Sequence, residues 1–158
     1  MPTQKSTEYE TIFIDTNVIL DYVLQREHGP QAKAVVAWLL KQQTPMLMSV
    51  GGFYTMHYLI DKYLRQVLQL DKASRIAPLR TLLTSILQTF TVAEHDSASL
   101  LDGISDPQYS DLEDSCQYHL ALRLQCDILV TLNTKDFTPT VSLKVVTPQE
   151  FIEKYISK

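Results

Sequence analysis

Residues 12–20 read IFIDTNVIL. The first three are β-branched or aromatic and describe a short buried strand. From Thr16 the apolar spacing changes to that of a helix, with Val18, Ile19, Tyr22 and Val23 on one face. Asp15 stands at the junction, inside a run that otherwise favours burial. An ionised carboxylate there must be neutralised, paired or bound to a cation. Capping of the following helix is the plain alternative, since Asp15, Thr16 and Asn17 are all good N-caps.

Working outward, the strand–helix alternation repeats. Residues 11–14 (TIFI), 46–49 (MLMS), 89–92 (TFTV), 127–131 (DILVT) and 141–146 (VSLKVV) read as strands. Helical stripes separate them. Ala32, Val35, Val36, Leu39 and Leu40 form one; Met56, Leu59, Ile60, Tyr63, Leu64 and Val67 form another over 53–69. Asp71 reads as the N-cap of a helix to about Leu87, which Pro78 is expected to kink or restart. Asp96 starts a short helix to about Ile104, Ser110 one to about Gln125, and Thr147-Pro148 the last, through about Tyr155. Five short strands alternating with helices predict an α/β fold, with a parallel sheet covered on both faces. With strand order 3-2-1-4-5, strands one and four are neighbours. Asp15 and Asp136, which follow them, then approach each other at the carboxyl end of the sheet, where such folds bind ligands.

The chain has 158 residues, 45% hydrophobic and 20% charged, as expected for one domain: a polar lead over 1–10, then the domain over 11–158. Its net charge of −4 excludes nucleic-acid affinity built on bulk positive charge. Cys116 and Cys126 are read into one helix, about 15 Å apart, too far for a disulfide. Two reduced thiols fit a cytoplasmic protein. The N-terminus lacks an apolar signal core, and no run is long enough to span a membrane. His28, His57, His95 and His119 share no spacing; helix-surface or hydrogen-bonded roles are expected of His57 and His119. Lys62 and Arg65 are read as a solvated face, and Trp38 as core or interface.

The acids fall in three groups. Asp15 is the first. The second is S110-D-L-E-D-S115, where Ser110 and Glu113 match a capping box and Asp111 and Asp114 share a helix face. The third is Asp136 in T131-L-N-T-K-D-F. Carboxylates from three distant segments at one end of one sheet are a ligand set for Mg²⁺ or Mn²⁺. A metal so held activates water and stabilises an in-line phosphoryl displacement.

The segments FIDTNVIL, SDLEDS and TLNTKDF together resemble the motifs of PIN domains, and the resemblance spans residues 11 to 154. It implies a three-layer α/β/α fold and an Mg²⁺- or Mn²⁺-dependent ribonuclease. Many small bacterial members are toxins of the VapC type, held inactive by a small antitoxin protein, and homodimers are common. Carried over by position, Asp15, Asp114 and Asp136 are the metal-binding, catalytic acids, and Asp111 is an additional or outer ligand. Asn17, Thr131 and Asn133 are supporting residues. The family usually carries a further Glu about six residues after a Ser on the helix behind the second strand. Here that position is Thr55, and His57 and Asp61 are not straightforward substitutes. The alternative reading is therefore a PIN fold that binds RNA or protein without cutting. A haloacid-dehalogenase-type phosphatase needs an Asp where Asn17 stands, and a nucleotide-binding NTPase is disfavoured because no Gly-rich phosphate loop is present among only four glycines.

Overall fold

The computed structural model describes residues 11–158; the polar lead lies outside the described residues. Five strands form one parallel sheet: β1 (Ile12–Ile14), β2 (Met46–Ser49), β3 (Thr91–Ala93), β4 (Ile128–Val130) and β5 (Lys144–Val146). Their order is β3-β2-β1-β4-β5, the order expected from the sequence. Strand β1 is therefore central, paired with β2 on one side and β4 on the other. All three of its residues are buried, because helices cover both faces of the sheet.

The period-2 alternation of the strands sorts two cores. Ile12, Ile14, Ile128 and Val130 face the larger one. It is closed by α1 (Thr16–Leu24), α2 (Gly29–Lys41), α3 (Val50–Gln66), α4 (Lys72–Thr89) and α7 (Pro148–Phe151). Phe13 and Leu129 face the smaller one, with Tyr118, Leu120 and Ala121 of α6 (Leu112–Arg123). Helix α5 (Ser97–Ser105) packs on α6 where Gly103 lies against Cys116. A Cβ on that glycine would stand 2.8 Å from the Cys116 Cα. Trp38 packs edge-on against Phe151, 5.7 Å between ring centroids, so it belongs to the larger core.

Several helix starts follow from their caps. Ser49, Asp71 and Asp96 each accept a hydrogen bond from the backbone N–H three residues on, and Thr147 with Glu150 completes a capping box. Three expectations are corrected. Helix α4 is one helix through Pro78, so of the kink or restart expected there the restart does not occur. The carbonyl that Pro78 leaves without a donor belongs to Ser74, which is exposed and free to meet water. Helix α6 is capped by Asp111, not Ser110: the Asp111 side chain accepts from the Asp114 N–H at 3.1 Å. Cys126 lies beyond the end of α6 rather than on it, after a turn in which Gln125 takes a positive φ; both cysteines are free. The last turn, Ile152–Ile156, is a π-helix continuing α7. Among the described residues, no helix is long and apolar enough to cross a membrane.

Candidate active site

The ladder between β1 and β4 runs one residue beyond the strands. The Asp15 N–H donates to the Val130 carbonyl at 2.9 Å, which places Asp15 opposite Thr131. This register makes their contact: the Thr131 hydroxyl donates to Asp15 Oδ2 at 2.8 Å. Thr131 is itself fixed from the other side, its N–H donating to the Val146 carbonyl. Asp15 occupies the N-cap position of α1, yet its side chain caps nothing. The residue is 4% exposed, and its second oxygen, Oδ1, is buried without a hydrogen-bond partner. Burial drives its pKa up; the Thr131 hydroxyl and the nearby Gln117 amide act in the opposite direction.

Asp114 lies in the first turn of α6 and is half-buried beside Asp15. Its pKa is pushed up to about 7, first by burial, then by the charges of Asp15, Asp111, Asp136 and Glu113. That list of repelling neighbours locates the cluster: all three acid groups expected from the sequence come to one place. Asp136 closes a short 3-10 turn (Thr134–Asp136) after β4 and is exposed, and the Asn133 amide donates to its carboxylate. The Asn133 N–H in turn donates to the Thr131 hydroxyl oxygen at 3.2 Å, so one threonine ties the Asp136 loop to Asp15. Asp111 is exposed, and one of its oxygens is committed to capping α6. Asn17 is also exposed and contributes only its carbonyl, to Arg26; its side chain does not hold the Asp15 loop.

Three further residues reach the site that the sequence did not mark. Thr16 is buried, with its hydroxyl 3.2 Å from Gln117 Oε1 and 3.5 Å from Glu113 Oε1; its N–H also points to Gln117. Gln117 is buried one turn beyond Glu113 and Asp114. That i+4 and i+3 spacing was the available signal. Gly52 is the third. A Cβ there would stand 2.6 Å from Thr16 Oγ1, so α3 and α1 meet this closely only because position 52 has no side chain.

A divalent metal is tested against these residues directly. The donors are hard carboxylate oxygens, the set that Mg²⁺ and Mn²⁺ take. Asp15 Oδ1 is a buried acceptor with no donor, and the acids around Asp114 repel one another. Among the described residues no group of three or more His, Cys, Asp or Glu side chains is placed to hold a metal ion. Mg²⁺ needs none, because it is held through one or two carboxylates and keeps several waters. The residues fit such an ion. Elsewhere, His119 pairs with Asp106 at 2.8 Å, and His57 is exposed, as are Lys62 and Arg65, while His95 has its Nδ1 buried without a partner.

A central parallel sheet with carboxylates gathered at the ends of β1 and β4 defines an α/β domain with an acidic site at its topological switch point. The family follows from comparison. A sequence model described as PIN domain matches residues 11–135, and the chain belongs to that family. It is similar to Ribonuclease VapC1 of Aquifex aeolicus (strain VF5), 27% identical over 150 residues, which cover 92% of this chain and 96% of the relative. Two solved structures share the fold. The Rickettsia felis VapBC2 complex, bound to a promoter DNA fragment, matches at a TM-score of 0.64 and 14% identity, over 87% of this chain and 98% of its own. A toxin–antitoxin complex from Klebsiella pneumoniae matches at 0.58 and 23%, over 87% and 97%.

Proposed function

We propose that this protein is a metal-dependent endoribonuclease of the VapC toxin type, acting in the cytoplasm. The observation that carries the reading is Asp15: a buried carboxylate with one oxygen held by Thr131 and the other unpartnered, beside Asp114, whose pKa its charge helps to raise. The similarity to a ribonuclease over nearly the full length of both chains supports it. Asp15, Asp114 and Asp136 would hold Mg²⁺ or Mn²⁺, with Asp111 as an outer ligand. When bound, the ion lowers the pKa of water and offsets charge on the phosphoryl oxygens.

The chain's own part is positioning. Thr131 fixes the rotamer of Asp15, and Asn133 fixes Asp136 against the same threonine. In the hydrolysis, a water oxygen bonds to phosphorus and the P–O3′ bond breaks. The 3′ oxygen leaves as a hydroxyl, and the 5′ side keeps the phosphate. No side-chain nucleophile is involved. RNA specificity would come from surface shape around the site. An antitoxin protein is the proposed regulatory partner, since one solved relative is a toxin–antitoxin complex, and a second copy of the chain is the proposed assembly partner.

The test is cleavage of structured and single-stranded RNAs with Mn²⁺, Mg²⁺ or EDTA, by wild type and Asp15→Asn. Metal-dependent cutting that Asp15→Asn abolishes supports the reading. The second reading, a PIN fold that binds without cutting, is favoured by Thr55, which puts no charge on α3 where the family usually has one. RNA retention without cleavage in any metal would establish it.

A further inference from the structure

Thr55 leaves its position on α3 without an acid, but the place it faces is not without one. The Thr55 hydroxyl donates to Glu113 Oε2 at 3.2 Å, from a residue 58 positions away in the chain. The other carboxylate oxygen, Oε1, lies 3.5 Å from the Thr16 hydroxyl, next to Asp15. Glu113 is exposed, yet its carboxylate reaches the hydroxyls of Thr16 on α1 and Thr55 on α3. A role in capping α6 is excluded, because Asp111 performs it. A role as a first-turn acid favoured by the helix dipole needs no hydrogen bond to either threonine.

The surroundings are shaped for this arrangement. Gly51 and Gly52 put no side chain into the first turn of α3, and Gly52 lets that turn close on Thr16. A cavity of about 280 Å³ remains, lined among others by Gly51, Gly52, Thr55, Glu113 and Gln117. The Glu113 charge also bears on Asp15 and Asp114, as the smallest of the influences on each. Independently of these contacts, Asp15, the residue before Thr16, has its Oδ1 buried without a hydrogen-bond partner.

We infer that Glu113 of α6, held by Thr55 and Thr16, supplies the metal-facing carboxylate that α3 lacks. The site then has four acids: Asp15, Glu113, Asp114 and Asp136. The charge has moved from one helix to its neighbour, and Thr55 has become the hydrogen-bond donor that aims it. This rests on the metal-dependent reading above and makes the binding-only alternative unnecessary.

The test is Mn²⁺ affinity by calorimetry and by electron paramagnetic resonance of the free ion, with no substrate present. Glu113→Gln keeps the size and one acceptor oxygen, replaces the other with an amide NH2, and removes the charge. It is expected to weaken Mn²⁺ binding about tenfold or more, with Glu113→Asp in between. Adding Thr55→Glu to Glu113→Gln returns the acid to α3 and is expected to restore affinity to within about threefold of wild type. Glu113→Gln binding Mn²⁺ as tightly as wild type overturns the assignment while leaving the nuclease reading intact. So does a weakened variant that Thr55→Glu does not repair. A wild type that binds no Mn²⁺ overturns both.

Discussion

Asp15 and Asp21 are six residues apart, at the two ends of the same buried stretch, and are 4% and 3% exposed. By burial alone they are indistinguishable. Their partners separate them. Asp21 Oδ1 takes the Arg26 guanidinium at 2.6 Å, and Oδ2 takes the His28 N–H at 3.1 Å. The charge is compensated, and the loop between α1 and α2 is tied down by it. Asp15 has one neutral hydroxyl on one oxygen and no hydrogen bond on the other, with only the Gln117 amide and the Thr16 N–H nearby. A buried acid with its partners present is architecture. One with an orphan oxygen at the end of a central strand is poised for a ligand.

The sharpest way to break this comparison is to neutralise both. Asp15→Asn is expected to lower RNA cleavage about a thousandfold, roughly 4 kcal/mol of transition-state stabilisation. The metal-free melting temperature should stay the same or rise, because a buried, poorly compensated charge is removed. A variant that melts well below wild type would make Asp15 structural and erase the distinction.

Asp21→Asn should do the reverse. Asn presents an amide where both partners are donors, so the Arg26 pairing and the loop closure are lost. The expected loss is about 2 kcal/mol, reduced from that of a fully buried pair because Arg26 is partly exposed. In a chain of this size that lowers the melting temperature by about 4–8 °C. Mn²⁺ affinity measured well below the transition should match wild type. Weakened metal binding in the folded variant would show that the two acids are not separable.

The sequence made Asp15 conspicuous and left Asp21 unremarked, and the reason is physical. Asp15 interrupts a strand, where period-2 burial leaves a charge nowhere to go. Asp21 sits in an amphipathic helix, where a charge reads as the solvent face, and its partners Arg26 and His28 depend on a turn that no pattern fixes. The same limit explains the acids of α6. Strand order placed Asp15 and Asp136 together, because topology is carried by the alternation of elements; Asp114 was marked by its helix face and by the family resemblance. Which first-turn residue caps and which reaches inward was not legible: S110-D-L-E-D offers two caps three residues before an acid, and the sequence cannot choose between them. The choice of Asp111 over Ser110 shifts the start of the helix by one residue and turns Glu113 from a capping partner into a neighbour of Thr16 and Thr55. Gly52 was visible only as one of two glycines opening a helix; its contact with Thr16 joins two elements that sequence reading treats separately.

The smallest expected effect is a pH dependence, and its sign belongs to Asp15's side of the comparison. Asp15 and Asp114 have pKa values raised by folding, Asp114 to about 7. A carboxyl group whose folded pKa lies above its unfolded value favours the folded state while protonated. That contribution is fully present below about pH 4 and is lost as pH rises through the folded value. Metal-free protein should therefore lose about 1 kcal/mol from these groups between about pH 4 and pH 7, after allowance for the partial exposure of Asp114. This corresponds to about 2–4 °C in melting temperature. Asp114→Asn should flatten that slope, and saturating Mn²⁺ should reverse it, since an ion that binds only the folded, ionised cluster stabilises it increasingly as pH rises. Melting curves in EDTA and in Mn²⁺ across this range separate the cases. A metal-free slope of the opposite sign would mean that the cluster is already compensated, as Asp21 is, and that the orphan oxygen of Asp15 has a partner in solution.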